Sequence, residues 1–594
     1  MTDSRVWKLP DSAPSPAELA AAWSRVVENA MAAIEASARP ATSVAFDPAA
    51  PARAFGEFTM QLWTDPAGVL RATQAANAEW MELWSHAARR AAGVELEPLI
   101  EPERGDRRFK DPAWSEEPVF DYLKQAYLLA ARQATELVEK AEGIDEGTRT
   151  RALFFTQAYL NALSPANFAF TNPEAIRRAI DTGSISLLSG LANLLADAAS
   201  EAKLPQRRGG AGFELGKDLA ATPGQVVFQN TLMQLIQYAP ASETVYRRPL
   251  LYVPPLVNKY YLLDLQPRSS LVRWLVEQGH TLFVISWVNP GPELADKGLA
   301  DYLELGPVAA LDAIEKATGE RQADLFGFCM GGTLAAIAAA LLADRGEGER
   351  IASVTTIGSM FDFSNMGQWA AFTEPAQLKA MERHLDAKGI MAAHELQALF
   401  SVVRANDLIW SSVVSHYLLD REAPPSDILH WFADGAHIPR AFLLDWVNHI
   451  LRDNRLARAG ALEVAGSTID LGAIEAPAMV ISLKDDHVSA WQATYDGARL
   501  LGGETSFLLG GSGHNAGVIN PPAANKHGYW TNAAMPASTE QWLEGATRHE
   551  GSWWPEWQAW LVRNDVDRVK ARVPGKGKLK AIEPAPGSYV RMRG

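Results

Sequence analysis

The stretch Asp324-Leu325-Phe326-Gly327-Phe328-Cys329-Met330-Gly331-Gly332 admits few folds around it. A short apolar run ends in Gly-x-Cys-x-Gly, and a purely apolar run from Leu334 to Ala343 follows at once. That order predicts a strand, a sharp turn and a buried helix, a nucleophile elbow with cysteine in place of serine. Glycines are needed two before and two after the nucleophile, because a Cβ there would crowd the neighbouring strand or helix. The turn lifts the thiol above a sheet at a helix amino terminus, where exposed amides and the helix dipole favour a thiolate. The amide of Met330 then points toward a developing oxyanion. A lone cysteine is more often a small buried hydrophobe; the strand, the glycine frame and the Ala-rich helix together favour a nucleophile. The glycine spacing does not fit a dinucleotide-binding loop.

An elbow of this kind predicts an acid and then a base, each on a loop after a later strand. After a strand ending at Leu483 comes Lys484-Asp485-Asp486-His487, and after one ending at Leu509 comes Gly510-Gly511-Ser512-Gly513-His514. His514 is preferred over His487 as base because it follows the last strand in a Gly-rich loop. Position alone does not separate Asp485 from Asp486. The loop Val253 to Tyr261 follows an earlier strand, where this fold draws its second oxyanion amide; Val257 or Asn258 is the candidate.

The surrounding texture agrees with an α/β fold. Short β-branched runs at 225–228, 249–253, 281–287, 323–326, 351–357, 477–483 and 505–509 alternate with helical stretches, the pattern of a mostly parallel sheet. The aromatic-rich stretch at about 360–475 reads as an inserted helical cap. Residues 1–205 are Ala-rich with helical spacing, apart from a polar loop at Glu103 to Lys110, and a Gly- and Arg-containing linker at 205–212 separates them from a catalytic domain at 206–562. Residues 563–594 carry nine Lys or Arg against three acids and are expected to form a solvated basic tail.

Charge and cysteine count narrow the function classes. Lys plus Arg is 55 against 70 Asp plus Glu, a net charge of −15, which disfavours nucleic-acid binding. With Cys329 the only cysteine, no intramolecular disulfide and no zinc site of two or more cysteines can form. Met1 to Ala20 is polar and Pro-interrupted, unlike an export signal, and the longest apolar run is about half of the roughly 20 residues that span a bilayer. A cytoplasmic protein without a transmembrane segment, metal or cofactor is expected.

The motifs GFCMGGTLA, VPPLVNKYYLLDLQPRSSLVRWLVEQGHTLFVISW, DDHVSAW and LGGSGHNAGVINPPAANKHGYW resemble the class I polyhydroxyalkanoate synthases. So do RRFKDPAWSEEPVFDYLKQAYLLAAR and NALSPANFAFTNPEAI upstream, and APGSYV near the end. The resemblance implies an α/β-hydrolase fold preceded by a helical domain, and Cys329, Asp486 and His514 as a catalytic triad. It also implies a short (R)-3-hydroxyacyl-CoA such as 3-hydroxybutyryl-CoA as substrate, CoA as leaving group, and a polyester held on the enzyme as a thioester. A homodimer at the surface of the polyester granule, with phasin contact through the helical domain, belongs to the same expectation. The chain departs from the family pattern at Ala490, Phe432, Gly435, Ala436, Ser411 and Asn515, none of them in the triad. A Cys-dependent hydrolase shares the triad and differs in its acceptor, water; a non-catalytic granule scaffold would have no use for the three groups.

Overall fold

The computed structural model of the chain describes residues 14–37, 45–103, 105–200, 204–205, 212–422, 424–563 and 565–593; most of the expected linker, 206–211, lies outside them. The chain divides into two compact units. One comprises Met1–Ala211, Gln368–Met381 and Gln397–Pro424, the other Gly212–Gly367, Glu382–Leu396 and Pro425–Gly594.

The first unit is helical, as its spacing predicts, with long helices at Pro16–Ser37, Pro66–Ala91, Pro118–Lys140, Glu146–Ala162 and Ile185–Ala199. Helix starts in this unit carry the capping chemistry expected of Asp and Asn: Asp65 accepts from the Gly68 amide, Asp145 from Thr148, and, at the shorter helix Pro173–Asp181, Asn172 from Glu174 and Ala175. The expected polar loop at 103–110 ends in an aromatic anchor, with Phe109 edge-on to Trp114 at 5.0 Å.

The stretch 360–475 does not form the single inserted cap expected. Parts of it bury against the amino-terminal helices instead. Phe372 packs its ring against Phe46 and Phe154, Glu374 takes two hydrogen bonds from Arg53, and Tyr417 donates to Asp197 at 2.8 Å. Aromatic and charged partners hundreds of residues upstream decide this division.

The second unit is built on an eleven-stranded sheet. Its strands in chain order are β1 Gly224–Gln229, β2 Met233–Tyr238, β3 Pro249–Val253, β4 Thr281–Trp287, β5 Ala323–Phe328, β6 Ile351–Ile357, β7 Ala478–Leu483, β8 Thr505–Gly510, β9 Tyr529–Thr531, β10 Thr547–His549 and β11 Glu583–Pro584. Across the sheet they run β10-β9-β8-β7-β6-β5-β3-β4-β2-β1-β11. The six strands from β8 to β4 are parallel, and both flanks are antiparallel. In register, Phe328 of β5 pairs with Ile357 of β6, Ile357 with Ile481 of β7, and Leu483 with Gly510 of β8. The carboxyl ends of four strands therefore open onto one rim, where ligands bind in open α/β sheets.

The carboxyl-terminal region corrects the expectation of a solvated tail. Arg568–Lys570 pairs antiparallel with Thr244–Tyr246, and β11 pairs with β1. Glu583 accepts from Gln234 at 2.5 Å, Tyr589 donates its hydroxyl to the Asn230 carbonyl at 2.7 Å, and Val590 is buried. Arg572 is largely buried against Glu320, and Val590 packs into the core, while Val566, Val573 and Ile582 stay exposed. Among the described residues no single helix is long and apolar enough to cross a membrane; the bent pair Pro173–Asp181 and Ile185–Ala199 meets the requirement of length and composition together.

Deleting residues 583–594 is expected to destabilise the second unit by about 3 kcal/mol, from one buried Val and two or three hydrogen bonds. The urea midpoint checks this; an unchanged midpoint would restore the solvated tail.

Candidate active site

The helix Met330–Asp344 follows β5 without a linking loop, and Cys329 caps it with φ 54° and ψ −131°. A non-glycine residue held there costs about 1–3 kcal/mol and persists only where its surroundings determine it. They do so here. A Cβ on Gly327 would collide with the backbone of Gly331, and one on Gly331 with the carbonyl oxygen of Val253. The Cys329 amide donates to the Ile357 carbonyl at 2.9 Å, and its carbonyl accepts from the Gly332 amide at 3.0 Å and the Ser359 hydroxyl at 2.8 Å. The first amide of a helix has no intrahelical acceptor, so the N–H of Met330 is available to a ligand beside the thiol.

Asp486 and His514 meet on the same rim. The Nδ1–H of His514 donates to Asp486 Oδ2 at 2.6 Å, and both side chains are buried. The other oxygen, Oδ1, accepts from the amides of Val488 and Ser489 at 2.8 and 2.9 Å, which fixes the carboxylate plane. Asp485 and His487, which share the loop, are exposed. Burial against the base thus separates Asp486 from Asp485, which position in the chain left open. Burial alone pulls the His514 imidazole down, but the charge of Asp486, followed by that of Cys329 and the hydrogen bonds to both, outweighs it and pushes the value up to about 10. Phe328 lies against the ring at a centroid distance of 4.8 Å.

Val257 and Asn258 lie in the loop after β3, whose root packs on Gly331 of the elbow. Asn258 faces Gly435 in an isolated antiparallel bridge, and the Ala436 amide donates to the Val257 carbonyl at 3.2 Å. That flanking bond marks a non-hydrogen-bonded pair, in which the N–H of Asn258 is directed away from Gly435.

Supporting residues escaped the sequence reading. Gly358, at φ 56°, follows β6, and a Cβ there would lie 3.2 Å from His514 Cε1, 3.3 Å from Nδ1 and 3.4 Å from Asp486 Oδ2. It forms the floor under the His–Asp pair. Trp553 and Trp554 donate their indole N–H groups to the carbonyls of Gly517 and Val518, pinning the chain just after the base. Paired tryptophans ahead of a helix were the visible signal. Among the described residues no group of three or more His, Cys, Asp or Glu side chains is placed to hold a metal ion.

With this geometry in hand, comparison with known proteins is decisive. A family model described as the poly-beta-hydroxybutyrate polymerase (PhaC) N-terminus matches residues 105–275, and a model of the alpha/beta hydrolase fold matches 257–521. The poly(3-hydroxyalkanoate) polymerase of Methylorubrum extorquens is 41% identical over 532 residues, covering 89% of this chain and 88% of its own length. The chain belongs to the poly(3-hydroxyalkanoate) polymerase family. Its fold is that of an α/β hydrolase with a helical amino-terminal region. Two further relatives are both named poly(3-hydroxyalkanoate) polymerase subunit PhaC. That of Cupriavidus necator is 41% identical over 494 residues, with 82% of this chain and 83% of its own covered. That of Rhizobium etli is 37% identical over 605 residues, with 100% and 94% covered.

Two outcomes follow from this geometry. Gly358→Ala combines a positive φ with a Cβ against the pair, and is expected to slow alkylation of Cys329 by iodoacetamide about tenfold or more while the fold persists by circular dichroism; wild-type kinetics would remove Gly358 from the site. The second concerns pH. The His514 value in the folded chain is raised above the unfolded value of about 6.5, so the stability it contributes is fully present below that pH and lost as pH rises through about 10. The stability gap between wild type and Asp486→Asn should therefore narrow across that window in urea unfolding, and a pH-independent gap would contradict the assignment.

Proposed function

We propose that the chain is a class I polyhydroxyalkanoate synthase that polymerises short (R)-3-hydroxyacyl-CoA, such as 3-hydroxybutyryl-CoA, through a covalent thioester on Cys329. One observation carries the reading: in a chain of the polymerase family, the cysteine of a strained elbow shares its rim with a buried His–Asp pair bonded at 2.6 Å. His514 takes the thiol proton, with Asp486 holding the ring and stabilising its cation. The thiolate attacks the acyl-CoA carbonyl, and the amides of Met330 and of Val257 or Asn258 receive the oxyanion. CoA leaves with the proton from His514. Exchange of one thioester for another is nearly isoenergetic, so the acyl group stays activated on the enzyme.

The 3-hydroxyl of a second unit, carried as its CoA thioester, then attacks the acyl-Cys329 thioester and loses its proton to the base; the C–S bond breaks, an oxoester forms, and the Cys329 thiolate leaves and recovers the proton. The oxoester is the more stable bond, which makes chain growth run downhill. The steps balance without a metal or redox cofactor. Water at about 55 M competes for the acyl-enzyme, so the site has to exclude it while admitting the hydroxyacyl chain. The enzyme is placed in the cytoplasm at the surface of the polyester granule, as a homodimer whose helical amino-terminal region contacts the granule and phasin.

Incubation of the purified protein with 3-hydroxybutyryl-CoA should release free CoA together with solvent-insoluble polyester, and Cys329→Ala should release none while remaining folded. Soluble 3-hydroxybutyrate in place of polymer would make the chain a hydrolase. Turnover by Cys329→Ala would remove the nucleophile.

A further inference from the structure

The loop after β3 is tied to the segment Asp427–Pro439 by an ionic network between a buried lysine and a partly buried aspartate. Lys259 is buried, and its Nζ lies 2.5 Å from Asp434 Oδ1. Tyr261 donates its hydroxyl to the other oxygen, Asp434 Oδ2, at 2.8 Å. Trp431 donates its indole N–H to the Lys259 carbonyl at 2.7 Å, and the Ala436 amide donates to the Val257 carbonyl at 3.2 Å. Four bonds thus join residues 257–261 to residues 431–436, all within a few residues of Asn258.

Such a network is a poor way to add stability. A buried ammonium and a partly buried carboxylate with one aromatic hydroxyl gain little over well-packed apolar side chains of the same volume. Burial holds the Lys259 ammonium below the usual lysine range, and Asp434 only partly offsets this. What an ion pair with directed hydrogen bonds does supply is a defined position. The backbone it positions is the stretch whose amide faces away from Gly435, on a loop rooted against the elbow glycine Gly331.

We propose that Lys259 and Asp434 are positioning residues for acyl transfer, clamping the Asp427–Pro439 segment onto the loop and setting the Val257–Asn258 backbone at the distance an oxyanion requires. The inference rests on the assignment of Cys329 as nucleophile and of this loop as the second oxyanion donor. Opening of the segment would then withdraw the amide, so that acylation proceeds only when the clamp is closed.

The test uses the full chain with Lys259→Met, Asp434→Asn and the milder Tyr261→Phe. Two rates are measured: acylation, followed as CoA release from 3-hydroxybutyryl-CoA, and alkylation of Cys329 by iodoacetamide. Alkylation displaces iodide at a saturated carbon and forms no oxyanion, so it reports on the thiol and its base alone. The expected result is a fall in kcat of about 30-fold for Lys259→Met and Asp434→Asn and about 5-fold for Tyr261→Phe, with KM and alkylation as in wild type. The Lys259→Met/Asp434→Asn double variant should lose no more than either single one, and Lys259→Arg should retain most activity. An unchanged kcat, an effect on KM alone, or a parallel loss of alkylation and acylation would each overturn the proposal. If Cys329→Ala retains turnover, the functional reading itself fails, an outcome distinct from wild-type kcat in the clamp variants.

Discussion

The backbone of Cys329 is held in a conformation that an L-residue avoids, and much of the second unit serves to hold it there. Strand β5 feeds the turn from one side, the helix Met330–Asp344 leaves on the other, and the missing side chains of Gly327 and Gly331 let the backbones close in. The hydrogen bonds of the Cys329 peptide groups to Ile357 and Ser359 extend this to β6, whose next residue, Gly358, lies under the His–Asp pair. Cys329, Asp486 and His514 thus lean on one strand end. Strain at Cys329 and alignment of the His514–Asp486 pair have a common support, which explains how three side chains from widely separated parts of the chain stay in register.

The parts of the fold that depend on local pattern were legible in the sequence. The strands at 249–253, 281–287 and 351–357 occupy the expected residues, because each is a short run rich in apolar and β-branched side chains and almost wholly buried. The elbow was legible for the same reason, since its glycines meet a local steric demand. Strand β2 was not, because Gln234 and Gln237 interrupt its apolar run. Both are buried, and both bond to the carboxyl-terminal region, Gln234 to Glu583 and Gln237 to the Arg572 carbonyl. Partners that far away leave no trace in a local window. The division of the 360–475 stretch was hidden likewise, as it depends on Phe46, Arg53 and Phe154.

At the site, sequence order singled out Cys329 and His514 and stopped short between two adjacent aspartates, of which the structure brings Asp486 to His514. Burial is what distinguishes them, and burial is a property of the assembled rim. The supports Gly358, Trp553 and Trp554 carry no chemistry of their own, so a search for reactive side chains passes over them. Lys259 and Asp434 were overlooked for another reason: a charge in a loop is normally solvated, and only the fold buries Lys259 against Asp434.

The pairing of β11 with β1 bears on how the chain is made. Glu583 follows its partner Gln234 by 349 residues, so β1 emerges from the ribosome long before the strand that covers it. At a synthesis rate of about 5–20 residues per second, that edge stays bare for tens of seconds. An uncovered strand edge is a template for pairing with another chain, and neighbouring chains on one polysome would present the same edge at the same time. Crowding of translation, rather than the stability of the finished enzyme, is then the condition under which this architecture is most exposed to aggregation.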